Sequence, residues 1–191
     1  MFGLWVCAVL ISSTSQVVLA EEGFDFQSSF DIQYASSVLD QKVNPAQTLD
    51  IYKPIADTLS PVILYIHGGG WAFGDKKQVN LKPNYFTLQG FAFVSMNYRL
   101  RWEYKVYDQL IDVASALRWI NQHGAEHGLD RSRVVLMGHA SGTHLASLVM
   151  TDHRYLQGES VPVNIVKAVI AIDSVSYDIP RLMNELGSFV E

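Results

Sequence analysis

Two short glycine-framed motifs hold the residue types that could do chemistry. His67-Gly68-Gly69-Gly70-Trp71 sets three glycines in a row. Glycines leave backbone N–H groups unobstructed and let the chain approach a ligand closely. Such amide donors are what a tetrahedral oxyanion needs during acyl transfer. Gly138-His139-Ala140-Ser141-Gly142 places glycines two residues either side of a central position. That spacing permits a sharp strand-to-helix turn without Cβ clashes and holds the central residue exposed above a sheet. A third pattern, His123-Gly124-Ala125-Glu126-His127, matches the H-x-x-E-H arrangement in which two histidines on one helix face bind zinc. Gly124 and the closing Gly128-Leu129-Asp130 favour a fraying helix end there, whose imidazoles complement the helix dipole.

The segments around these motifs alternate between strand and helix. Pro61–His67, Phe91–Asn97, Arg133–Met137 and Ile165–Ile172 are nearly continuous apolar runs, as expected of strands buried on both faces. Phe30–Tyr34 and Thr48–Lys53 read as shorter, partly exposed strands. Tyr107–Gln122 repeats Leu110, Ile111, Val113, Ala114, Leu117 and Ile120 at helical spacing, with Asp108, Asp112 and Arg118 mostly off that stripe. Gly142–Met150 reads as a second helix. Buried strands alternating with helices predict an α/β fold with a parallel sheet, whose ligands gather at the carboxyl ends of the strands. Both glycine motifs fall at such ends.

Composition narrows the class. The 191 residues carry a net charge of −5, with 17% charged and 49% hydrophobic residues and one cysteine. This is enough apolar material for one sizeable core and too much for a disordered chain. Mild acidity argues against nucleic acid as a partner, and one cysteine excludes a disulfide framework or a multi-cysteine metal site. Residues 2–20 contain no charged side chain, and Val18-Leu19-Ala20 precedes the acidic pair Glu21-Glu22. This predicts a signal peptide over 1–20 and a secreted or periplasmic domain over 21–191, with no membrane attachment after cleavage.

Together the motifs resemble the α/β-hydrolase family, in its lipase/esterase branch with an HGGGW motif before a G-x-S-x-G elbow. Thr48-Leu49-Asp50-Ile51-Tyr52, Asn97-Tyr98-Arg99-Leu100 and Ala116-Leu117-Arg118-Trp119 are similar to that branch as well, and the resemblance covers roughly residues 30 to 175. It implies a mostly parallel sheet with helices on both faces, a small-molecule ester as substrate, no cofactor and no metal. It also implies serine attack, with the oxyanion held by the N–H groups of Gly69, Gly70 and Ser141.

The chain departs from that pattern at the elbow. The family's serine position is Ala140, whose methyl group cannot attack a carbonyl. Ser141 stands one step later and is the candidate catalytic hydroxyl. Centring the turn on it places β-carbons of His139 and Thr143 where they crowd the strained backbone, so in the glycine-set register Ser141 contributes its amide instead. His144 and His153 lie too early for the family's base, and Asp173 one strand too early for its acid. The chain reads as ending after about the sixth strand, which leaves Ile165–Ile172 as a long apolar edge prone to self-association. The expected protein is therefore an esterase relative without turnover. The alternatives are a binding protein on the same fold, using Trp71, Phe73 and Tyr98 as apolar contacts, and a zinc hydrolase using His123 and His127. His67 and Trp71 are expected to brace their loop, His139 to pack beside the elbow, and Lys76-Lys77 to begin a following helix in solvent.

Overall fold

A computed structural model describes residues 16–17, 26–35 and 44–173. The predicted leader, apart from Gln16–Val17, and its boundary at Glu21 lie outside the described residues. The strands are β1 (Gln16–Val17), β2 (Phe26–Gln33), β3 (Thr48–Pro54), β4 (Ser60–Ile66), β5 (Ala92–Met96), β6 (Leu129–His139) and β7 (Val166–Ile172). The helices are α1 (Lys82–Leu88), α2 (Val106–His123), α3 (Ser141–Thr151) and α4 (Arg154–Gly158). The sheet runs β1-β2-β3-β5-β4-β6-β7. Its β1–β2, β2–β3 and β3–β5 pairings are antiparallel. The β5–β4–β6–β7 half is parallel and carries both glycine motifs.

The apolar runs become central strands because alternate side chains enter two cores. In β4, Val62, Leu64 and Ile66 face a large cluster with Leu110, Leu117 and Leu145. Ile63 and Tyr65 face a smaller one with Phe93 and Met137, against which Phe86 of α1 packs. Phe93 and Leu64 are fully buried, and each such side chain contributes about 1.5–3 kcal/mol. The helical stripe of α2 is present as predicted, but its face is wider. Asp112, expected mostly off the stripe, is fully buried and paired with Arg99 at 2.8 Å. A single strong ion pair lets a carboxylate occupy an apolar face.

The run Ile165–Ile172 is a strand, but not a buried one. Among the described residues β7 is flanked only by β6, and Lys167–Ala171 are all exposed. Its apolar residues are exposed along an edge that no described strand pairs, with Val169 36% and Ile170 38% exposed. An apolar edge of this kind templates pairing with another chain. Val169→Lys should lower self-association of the 191-residue chain in sedimentation velocity while leaving its circular dichroism unchanged. An unaltered size distribution would show that β7 is not the sticking edge.

Candidate active site

Strand β6 ends at His139 and α3 begins at Ser141, so Ala140 makes the turn between them. Its backbone lies at φ 48°, ψ −117°, a conformation that costs an L-residue about 1–3 kcal/mol. The surrounding chain holds it there. Ala140 N donates to Ile172 O at 2.9 Å and Thr143 N to Ala140 O at 3.0 Å. Thr143 Oγ1 lies 2.7 Å from Gly138 O and 3.0 Å from Ile172 O. The flanking glycines permit contacts that no side chain could. A Cβ on Gly138 would stand 2.4 Å from Gly142 O, and one on Gly142 would stand 2.1 Å from Ile66 O. The first turn of α3 is thus driven against the carboxyl end of β4.

The HGGGW loop leaves β4 at that same point. Ala72 N and Phe73 N donate to Gly69 O at 3.2 and 2.9 Å, curling the loop over the turn. Gly69 and Gly70 take φ values of 126° and 60°, which suits residues without a Cβ. The loop touches the elbow: a Cβ on Gly68 would lie 3.1 Å from Ala140 Cβ and 2.8 Å from His139 Nδ1. Among the described residues no hydrogen bond engages the N–H of Gly69, Gly70 or Ser141. Gly69 lines a cleft of about 550 Å³ together with Gly68, Phe73, Lys82 and His139.

Ser141 is 3% exposed. Its Oγ is sealed from solvent and has no hydrogen-bond partner among the described residues, the phenol of Tyr98 being a polar neighbour. That phenol donates elsewhere, to His67 O at 3.0 Å. Burial raises the Tyr98 pKa, so the phenol stays a donor at neutral pH. Trp71, expected to brace its loop, and Tyr98, a ligand contact only on the binding-protein alternative, are 5% and 1% exposed and brace the loop from below. Phe73, 64% exposed, does line the cleft and meets Trp102 edge-on at 5.5 Å.

The histidines are placed as follows. His67 stacks on Tyr98 with ring centroids 4.4 Å apart, and its Nδ1–H donates to Gly68 O at 2.8 Å. Trp71 Nε1–H donates to His144 Nδ1 at 3.3 Å, which requires that nitrogen to be unprotonated. Burial holds both imidazoles below their ordinary pKa. Their stabilising contribution is full above about pH 6.5, the unfolded-state value, and fades as acid protonates them. His139 Nε2 lies 3.9 Å from Asp173 Oδ2, and both side chains are exposed. His153 caps α4. His123 is the last residue of α2 and His127 sits in the 3-10 turn beyond it, so the zinc pattern does not share one α-helical face. Both rings instead pack near Trp119, at 5.8 and 5.0 Å.

Two buried polar clusters position the loop, and the motifs gave no sign of them. Gln109 of α2 is fully buried, and its Nε2 donates to Trp71 O and Arg99 O, each at 2.8 Å. Lys76, expected in solvent at a helix start, is 2% exposed and six residues before α1. Its ammonium bonds Asp50, which is also buried, and Asp31 at 2.7 Å. Burial pulls the Lys76 pKa down, but the hydrogen bonds from Asp31 and Asp50 outweigh it and the net shift is upward. Lys76 N also donates to Asn97 Oδ1 at 2.6 Å, fixing the end of the loop against β5. The visible signal was Asp50, a carboxylate in the middle of an apolar strand.

With this geometry in place, the relatives can be read. The BD-FAE family model matches residues 49–175. The chain belongs to the BD-FAE family, within the α/β-hydrolase esterases. It is 30% identical over 169 residues to a probable carboxylic ester hydrolase, LipM, of Mycobacterium tuberculosis, covering 85% of this chain and 38% of that protein. It is 25% identical to the isoprenylcysteine alpha-carbonyl methylesterase ICME of Arabidopsis thaliana, covering 92% of this chain and 42% of that one. Among solved structures, Esterase B of Lactobacillus rhamnosis aligns at 30% identity with a TM-score of 0.69, over 90% of this chain and 57% of that one. This BD-FAE chain therefore spans less than half the length of the two curated relatives.

Lys76→Met should destabilise the fold by about 3–5 kcal/mol, because it leaves the Asp50 carboxylate buried without its cation. Denaturant titration measures this. A loss below about 1 kcal/mol would mean that the pair is no more than a surface contact.

Proposed function

We propose that the cleft binds the carbonyl of a carboxylic ester through the amides of Gly69, Gly70 and Ser141, and that Ala140 withholds the covalent step. The observation that carries this reading is Ala140 itself. It occupies the strained strand-to-helix turn at φ 48°, beside three amides that have no other hydrogen-bond partner among the described residues. Acyl-enzyme formation needs an oxygen at that turn and a base to take its proton. The Ser141 hydroxyl is buried beneath the turn, so it meets neither the carbonyl nor a base. The esterase names of the relatives support the substrate class.

A donor set without a nucleophile still stabilises an oxyanion when water attacks, with a gain over the uncatalysed reaction of at most about 10³–10⁴-fold. The 191-residue chain should hydrolyse p-nitrophenyl butyrate no faster than that ceiling, with no burst of p-nitrophenol. A stoichiometric burst would show an acyl-enzyme and overturn the reading.

A further inference from the structure

We propose that the ester taken by this cleft carries a carboxylate, and that Lys82 recognises it. The proposal rests on the ester-binding reading above and names its substrate class. Lys82 lines the same cleft as Gly68 and Gly69, so one ligand of moderate size can reach both. A cleft of about 550 Å³ is in the range that encloses a small organic molecule.

Three features single out this side chain. Its ammonium lies 4.9 Å above the ring of Tyr65, which holds it toward the cleft wall by cation–π attraction. Its hydrogen bond is a long one, to Val79 O at 3.4 Å, and it makes no ion pair among the described residues. Among the described residues the lining contains no aspartate or glutamate; Asp173, which contacts His139, is not part of it. The neighbouring polar groups of the wall are the amides of Gln78 and Asn80, which donate to a carboxylate as readily as they accept.

Burial also holds the Lys82 amine below its ordinary pKa. The cation has lost part of its water and, among the described residues, gained no counter-ion, which contrasts with Lys76 and its two carboxylates. An entering carboxylate restores what burial removed, through a charge-assisted hydrogen bond. A neutral ligand of the same shape leaves the ammonium as it was.

The test uses two probes, monomethyl glutarate and the corresponding primary amide of the same length, titrated into the 191-residue chain by NMR at neutral pH. The carboxylate probe should bind at least about tenfold more tightly. Lys82→Gln should remove that preference while leaving the amide's affinity unchanged, and Lys82→Arg should keep it. Gly69→Ala, whose new Cβ would stand 2.1 Å from Phe73 O, should weaken both probes. Equal binding of both probes to the unaltered chain, lost on Gly69→Ala, overturns the role of Lys82 and leaves ester binding standing. A preference that survives Lys82→Gln means that the backbone donors take the carboxylate, and it likewise overturns the proposal. Binding of neither probe overturns both readings.

Discussion

The site depends on one close approach, the first turn of α3 against the carboxyl end of β4. Gly142 stands so near Ile66 O that no Cβ fits between them, and this is possible only because β4 and β6 are hydrogen-bonded neighbours in the sheet. The loop after β4 and the turn after β6 then emerge side by side. From that adjacency follow the contact between Gly68 and Ala140 and the burial of the Ser141 hydroxyl. The strain at Ala140 is sustained by the sheet: its N–H and the Thr143 hydroxyl both bond Ile172 O of β7. A turn of this kind is normally the means of presenting a nucleophile. Here it is built in full around a methyl group.

Buried charge does the remaining positioning. Lys76 with Asp50, and Arg99 with Asp112, lie on opposite sides of the HGGGW loop's exit and tie it to β3 and α2. At Asp112 burial outweighs the Arg99 contacts, so its carboxyl sits above its ordinary pKa. Such pairs add little net stability over apolar packing but are costly to break singly. Their contribution here is directional: Arg99 N and Nε both engage Asp112, and Gln109 holds the carbonyls of Trp71 and Arg99 together. The loop curvature that exposes the Gly69 and Gly70 amides rests on these contacts.

The parallel half of the fold was legible because its strands are apolar runs and its turns carry glycines, and both signals are local. The elbow was legible in register as well, since the steric demands of Gly138 and Gly142 fix which residue lies at the centre. The charge clusters were not. Lys76 follows Asp75 in a polar stretch, and only the distant Asp50 makes its burial favourable. Asp112 looked like a helix surface residue until Arg99, a loop residue, arrived beside it. Trp71 and Tyr98 could be ligand contacts on the binding-protein alternative alone, because aromatic residues near glycine loops can serve either role, and their burial depends on α2 and α3 packing above them. The exposure of β7 depends on what flanks it in the sheet, which periodicity does not report.

On the function proposed above, the elbow presents no nucleophile, because Ala140 occupies the turn and the neighbouring hydroxyl is buried. Intact-mass spectrometry after treatment of the folded chain with a fluorophosphonate tests it most directly, since that reagent reacts with an activated serine and records the result as a mass shift. The protein should remain unmodified. A stoichiometric adduct mapped to Ser141 would show that the hydroxyl reaches the cleft and would contradict the account.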